Sequence, residues 1–319
     1  MNNDKVSIVI VNWNNYKDTI ECLKSLLKLQ YKKYKIIIVD NNSMDNSVEN
    51  LCQYCIKDNV KFFVINNNEI DNDTWQNNKI IIYKNDRNSG FAGGTNIGIK
   101  LSQQFNMEYT WLLNNDTEVE KDVLDKLLQY SLEYKNAIIG AKLIYYYNNN
   151  IIQSIGGSLK IKDMITGKSY GNNVKDSEEY NLVYEPDYIN GASMFMPSRL
   201  FEEIGYFDEK FFLYWEETDL CFRAKNKNWK MVYCPEAKIM HKEGGTTNKV
   251  KYLPLYYYTR NCLYFYKKNN IKGLSFMLVF GYLFKVIKRI IKFKFDEINY
   301  INKAYVDFLK NRFGRIENL

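Results

Sequence analysis

The sequence predicts an α/β fold, with a mainly parallel central sheet flanked by helices and a C-terminal helical extension. Three observations carry this. Short β-branched runs alternate with helix-periodic segments through the first 134 residues, the βαβα rhythm that builds parallel sheets covered on both faces. Polar clusters follow these apolar runs directly. From residue 252 onward the rhythm gives way to consecutive helical patterns.

Element by element, 6–11 reads as a buried strand and 18–28 as a helix with Ile20, Leu23, Leu26 and Leu27 on one face. Strands are expected at 35–39, 60–65, 79–83 and 109–113, and helices at 47–54, 95–104 and 123–134. The polar stretch 66–78 has no periodicity and reads as a loop insertion. Between 145 and 188 the alternation dissolves into Gly- and Asn-punctuated pieces, an irregular strand excursion. Regular patterning returns at 198–204, at 220–226 and in a strand at 230–234. Helical segments at 252–268, 273–293 and 297–311 close the chain.

Of the 319 residues, 46% are hydrophobic, enough for a sizeable core. The net charge of +7 is uneven: residues 251–319 hold fourteen Lys/Arg against four Asp/Glu, whereas the first 250 hold thirty against thirty-three. That argues against a whole-protein nucleic-acid footprint and for a local anionic surface as partner. Six cysteines are scattered; Cys52 and Cys55 form one C-x-x-C with no second pair and no nearby His, so free thiols are expected over a zinc or redox site. The start, MNNDKVSIVIVNWN, lacks the basic region and apolar length of a signal peptide. No uncharged apolar run reaches the ~18 residues of a membrane span.

In open α/β sheets ligands bind at the carboxyl ends of the strands. The candidate loops there carry Asn12-Trp13-Asn14, Asp40-Asn41-Asn42-Ser43, "RNSGFAGGTNIG" (87–98) and "LLNNDTE" (112–118). Gly90, Gly93 and Gly94 allow close backbone approach to a ligand, or simply a structural turn. They fit neither G-x-G-x-x-G nor the Walker pattern, which disfavours a dinucleotide dehydrogenase or P-loop NTPase. Asp116 suits a hard divalent cation completed by substrate phosphate, or a helix cap. His241 is the one histidine, which excludes multi-His zinc sites. It precedes Gly244-Gly245-Thr246-Thr247, a phosphate-friendly loop, so structural and ligand roles both stay open. The stretch "FFLYWEETDLCFR" (211–223) crowds Glu216, Glu217 and Asp219 behind aromatics. A helix start explains Asp219; a carboxylate held beside Tyr214 and Trp215 suits a general base near a sugar platform.

Together, "VSIVIVNWN", "IIIVDNNSMDNS", "NSGFAGGTNIG", "WLLNNDTEV", "YINGASMFMPS", "FFLYWEETDLCFR", "HKEGGTT" and "YYYTRNCLYFYKK" resemble, in order, the family 2 glycosyltransferases of GT-A fold, in their rhamnosyltransferase-like branch. The resemblance implies a glycosyltransferase domain at 1–250, with a nucleotide-sugar half (1–118) and an acceptor and catalytic half (119–250), then a basic helical extension at 251–319. It places Asn12, Asn14, Asp40, Asn88, Gly90, Gly93, Gly94, Asn96, Asn114 and Asn115 on the donor side, with Asp40 bonding the nucleobase. Asn114-Asn115-Asp116 stands at the DXD position with Asn for the first acid. Asp116 and His241 would then hold Mg²⁺ or Mn²⁺. Glu216-Glu217 matches the catalytic pair, with Glu217 as base and Glu216 as its rival. Trp215, Gly191 and Asp219 fall on the acceptor side.

The implied reaction is inverting transfer from a nucleoside-diphosphate sugar, with dTDP-L-rhamnose the first choice and UDP-hexoses the alternative. The acceptor would be a glycan or lipid-linked glycan of bacterial surface polysaccharide synthesis, and the location cytoplasmic. Two rivals are a nucleotidyltransferase, which would want a Gly- and Arg/Lys-rich loop after the first strand, and an inactive glycan-binding relative, which would lack Asp116 or the acid pair. Independently of the family, Lys285, Lys288, Arg289 and Lys292 share one helical face opposite Phe280, Leu283, Phe284, Ile287 and Ile291. That pattern fits peripheral contact of 271–295 with an anionic membrane surface, or a helix packed on the domain.

Overall fold

The β-branched runs form the strands. In the computed structural model, which describes residues 5–66, 70–159, 168–242 and 252–316, β1 (Val6–Asn12), α1 (Tyr16–Leu26), β2 (Tyr34–Asp40), α2 (Ser47–Lys57), β3 (Phe62–Ile65), α3 (Asn72–Asn77), β4 (Ile80–Lys84), α4 (Gly90–Gln104) and β5 (Tyr109–Leu113) alternate. Then come β6 (Thr117–Val119), α5 (Val123–Glu133), β7 (Ala137–Tyr145), β8 (Ile151–Ser154) and the short β9 (Gly157–Ser158), β10 (Lys168–Ser169) and β11 (Val174–Lys175). They are followed by β12 (Ser193–Pro197), α6 (Leu200–Ile204), α7 (Glu216–Lys225) and β13 (Lys230–His241). The C-terminal part holds α8 (Leu253–Lys268), α9 (Leu274–Phe276), a π-helical turn Met277–Gly281, α10 (Tyr282–Ile291) and α11 (Phe295–Leu309).

The main sheet runs β11-β8-β7-β12-β5-β1-β2-β4-β3, with β13 pairing both β6 and β7. β3, β4, β2, β1 and β5 are mutually parallel, as expected. β12 runs antiparallel to both neighbours, so the second half is mixed. Alternate side chains of each strand serve opposite faces. Ile8, Ile10, Ile36 and Ile38 join α1, α2 and α5 on one side, while Val9, Ile37 and Val39 join α4, α6 and α7 on the other.

Several elements differ from expectation. The predicted loop 66–78 contains α3, capped by Asp71, whose carboxylate accepts from Thr74 N. Trp75 is buried and stacks on Phe105 at 4.2 Å; one apolar anchor in so short a helix leaves no periodicity to read. Helix α4 starts at Gly90 rather than Thr95. β7 and β12 are buried along almost their whole length, so they carry no alternation. The strand expected at 230–234 continues to His241 past a bulge between Cys234 and Lys238.

The expected division at 250/251 lies outside the described residues, but the helix beyond it is not detached. Phe211 and Trp215 share one apolar cluster with Cys262, Leu263 and Phe265 of α8, and with Ile301, Tyr305 and Phe308 of α11. In α10, Arg289 turns inward and pairs with Glu297 at 3.0 Å, and Lys285 is half-buried. The outward face is the apolar one: Phe280, Leu283, Phe284, Ile287 and Ile291 are all exposed, with Lys288 and Lys292 beside them. Among the described residues no helix is long and apolar enough to cross a membrane.

Candidate active site

The parallel register aligns Asn12 with Asp40 at the carboxyl ends of β1 and β2. Asn12 Nδ2 donates to Asp40 Oδ1 at 2.7 Å, and the Ser43 hydroxyl donates to the same oxygen at 2.6 Å. Ser43 N donates to Asp40 Oδ2 at 3.0 Å. Asp40 is buried, and its carboxylate takes three hydrogen bonds from two residues, Asn12 and Ser43. Asn14 joins through its N–H to Ser43 Oγ at 2.8 Å, and its Oδ1 accepts from Met44 N at 2.7 Å. Thr19 donates to Asn12 Oδ1 at 2.7 Å and accepts from Asn115 Nδ2 at 2.9 Å, which draws the β5 loop into the same network.

The pairing of β6 with β13 sets His241 opposite Thr117. His241 Nε2 lies 3.1 Å from Asp116 Oδ1 and 3.3 Å from Asn114 Nδ2. Gln153 Oε1 accepts from His241 Nδ1 at 2.7 Å, which fixes the ring and leaves Nε2 facing Asp116. A carboxylate oxygen and an imidazole nitrogen held side by side fit a divalent cation whose remaining positions are taken by water and phosphate. Among the described residues there is no cluster of three or more metal-ligating side chains. The loop Gly244-Gly245-Thr246-Thr247 lies outside the described residues.

The glycine-rich segment acts differently from a ligand-approach loop. Gly93 and Gly94 sit inside α4. A Cβ on Gly94 would lie 2.9 Å from Val11 Cγ1, and one on Gly98 2.3 Å from Val9 Cγ1, so the glycines let α4 lie close on β1. Gly90 has φ of +73°, with its N–H held by Asn88 Oδ1 at 2.9 Å. Asn96 is buried, and its amide both accepts from Phe207 N (3.0 Å) and donates to Phe207 O (2.9 Å). Asn96 therefore anchors the segment leading to the acid cluster rather than a donor.

That segment enters α7 through an unusual backbone. Phe212, Tyr214 and Trp215 have φ of 66°, 67° and 78°. Glu216 and Glu217 are the first residues of the helix. Glu216 is 4% exposed and Glu217 half-buried. Burial, then the charge of Glu217, pushes the Glu216 carboxyl well above the usual carboxylate range. Burial also raises Glu217, opposed by backbone N–H groups at the helix start. Of the two, Glu217 is the more accessible carboxyl and Glu216 the one whose proton affinity is raised further. Gly191 stands beside it: a Cβ there would be 3.6 Å from Glu217 Cβ.

Two acceptor-side expectations are corrected. Trp215 is 3% exposed and packs on Phe265 and Tyr258 at ring distances of 5.2 and 5.5 Å, so its ring is core and not an open platform. Asp219 is fully buried and accepts from Arg223 Nε (2.8 Å), Lys268 Nζ (2.8 Å) and Asn269 Nδ2 (3.1 Å). It ties α7 to the end of α8.

Sequence reasoning missed Gln153 and Thr19, polar residues without motif status, and gave Ser43 no role beyond its place in a candidate loop. It also gave no role to Arg260 and Asn261, whose signal was a charge and an amide inside the aromatic run "YYYTRNCLYFY".

A family model described as glycosyl transferase family 2 matches residues 7–222. The chain is similar to the low-salt glycan biosynthesis hexosyltransferase Agl10 of Haloferax volcanii, 26% identical over 248 residues that cover 75% of this chain and 68% of that protein. It is similar to the dTDP-rhamnosyl transferase RfbF of Shigella flexneri, 22% identical over 283 residues, 84% of this chain and 82% of that one. Among solved structures, GalNAc-T7 with UDP, GalNAc and Mn²⁺ superposes with a TM-score of 0.58 at 16% identity, over 87% of this chain and 56% of that one. At that identity the likeness speaks of fold alone, and the fold is GT-A. With the family model covering well over half of its length, the chain belongs to glycosyl transferase family 2.

Proposed function

We propose that this glycosyltransferase moves a sugar, with inversion, from a nucleoside diphosphate to a hydroxyl of a glycan or lipid-linked glycan. The observation that carries the reading is the accessible Glu217 at the head of α7, its proton affinity raised by burial. Glu217 takes the proton of the acceptor hydroxyl as that oxygen bonds the anomeric carbon. The bond from that carbon to the diphosphate oxygen breaks, and the diphosphate leaves with the electron pair. Asn12, Asn14 and Asp40 shape the floor on which the nucleoside rests. Asp116 and His241 would hold Mg²⁺ or Mn²⁺, which when bound supplies positive charge to the leaving diphosphate. dTDP-L-rhamnose is the first-choice donor, favoured by the similarity to RfbF. UDP-hexoses come second, favoured by the similarity to Agl10, named a hexosyltransferase.

The test is a panel of dTDP-rhamnose, UDP-glucose and UDP-galactose with Mn²⁺ or Mg²⁺. Release of nucleoside diphosphate from one of them, increased by acceptor glycan, is the expected result. Binding without any release would favour an inactive glycan-binding relative.

We also place the chain at the cytoplasmic face of an anionic membrane, through the exposed apolar face of α10 and its flanking lysines. Deleting 271–319 would strip α11 from the core it shares with α8. Phe280→Ser with Phe284→Ser is the cleaner probe. Flotation with phosphatidylglycerol vesicles should fall for that variant; equal flotation sinks the placement.

A further inference from the structure

Glycine adopts a positive φ without steric cost, whereas bulkier residues keep it only where their surroundings impose it. Ahead of the acids the chain places Phe212, Tyr214 and Trp215 in that region. The imposing group belongs to α8. The Asn261 amide donates to the carbonyls of Phe211, Leu213 and Tyr214 at 2.7, 2.8 and 2.9 Å. Asn261 Oδ1 accepts from Arg260 Nε at 3.0 Å. The same guanidinium reaches the carbonyls of Lys210 (3.3 Å), Phe211 (3.2 Å) and Gly314 (3.0 Å). Both side chains are 0% exposed. On the far side, Phe212 O accepts from Phe91 N at 2.8 Å. That contact depends on Gly90, where a Cβ would lie 2.3 Å from Phe212 O.

The loop is therefore fixed between the start of α4 and α8, and it runs directly into Glu216 and Glu217. Burying a guanidinium and an amide to hold three bulky residues in left-handed geometry is costly for a simple helix entry. It is what a site needs when a side chain must stand within a fraction of an ångström of a reacting atom. We propose that Arg260 and Asn261 are a positioning pair for the transfer reaction, holding 211–215 so that Glu217 meets the acceptor hydroxyl. The proposal rests on the reading of Glu217 above. Neither residue touches substrate; both act through the loop.

Asn261→Ala and Asn261→Ser in the full chain test it. Three quantities are measured: the unfolding midpoint, the affinity for UDP and dTDP with Mn²⁺, and turnover of whichever panel donor is consumed. For Asn261→Ala, kcat is expected to fall on the order of 100-fold, with donor KM and nucleotide affinity within about threefold of the parent. Asn261→Ser, which keeps one donor, is expected to fall between. Tyr214→Gly relaxes the backbone requirement, so the Tyr214→Gly/Asn261→Ala double variant should lose less than the product of the two single losses.

Near-parental kcat in Asn261→Ala would overturn the proposal. So would parallel loss of kcat and nucleotide affinity, a multiplicative double variant, or failure of both Asn261 variants to fold. Glu217→Gln run alongside separates the two readings. If it keeps turnover, the base assignment fails. If it loses turnover while Asn261→Ala keeps it, only the positioning role fails.

Discussion

The two halves of the site are built in opposite ways. At the ends of β1 and β2, ordinary strands deliver Asn12 and Asp40 in register, and each Asp40 oxygen accepts at least one hydrogen bond. At 211–217 the backbone is left-handed at three bulky residues. There, Trp215 Nε1 and Glu216 Oε2 are buried with no hydrogen-bond partner among the described residues. A satisfied network suits the proposed role of a surface that only has to receive a nucleotide. Strain and unmet polar groups beside Glu217 suit the place where the proposed function puts proton transfer, because a strained backbone holds a side chain in one geometry. Substitutions on either side can break or sharpen this contrast.

The largest effect on stability is expected at Asp219. Asp219→Ala leaves Arg223 and Lys268, both partly exposed, without their shared carboxylate, and should cost about 2–3 kcal/mol by denaturant titration. Turnover of the folded protein should stay within about tenfold, as fits a tie between helices and not an acceptor contact. Next, Asp116→Ala should lower turnover by about 10²-fold with the unfolding midpoint unchanged, measured by nucleoside diphosphate release. Gln153→Leu, which frees the His241 ring, should weaken Mn²⁺ binding by about 10-fold or more by calorimetry with UDP present.

The smallest effect is a pH dependence at Glu216. Its folded-state proton affinity is raised, so the parent loses stability as pH climbs from the ordinary range near 4.5 through the raised value. Glu216→Gln removes that loss. Its melting temperature should match the parent at about pH 4 and exceed it increasingly toward pH 8.

Much of this was legible in the sequence. Continuous β-branched runs mark β1, β2 and β4 although both their faces are buried, and helix-period patterns mark α1, α2 and α5 because each has one buried face. β7, interrupted by Gly140 and Lys142, and β12, with Met and Phe in place of β-branched residues, offer no such run. The resemblance put Asp116 and His241 at one site, and the fold sets them 3.1 Å apart. Trp215 and Asp219 were misplaced toward the acceptor because local sequence cannot tell that α8 comes back to cover them. For the same reason Arg260 and Asn261 read as part of an aromatic helix, although their partners lie about fifty residues earlier. The glycines of α4 suggested a ligand loop; only the closeness of Val9 and Val11 reveals a packing seam.

The central claim is that Glu217, not Glu216, is the base. It is tested most directly by measuring turnover and nucleoside diphosphate affinity side by side for Glu217→Gln and Glu216→Gln. The account predicts that Glu217→Gln loses about 10²–10⁴-fold in turnover with nucleotide binding intact, while Glu216→Gln, replacing a buried carboxyl whose proton affinity is raised, stays within about tenfold of the parent. Near-parental turnover in Glu217→Gln, or the large loss falling on Glu216→Gln instead, would contradict it.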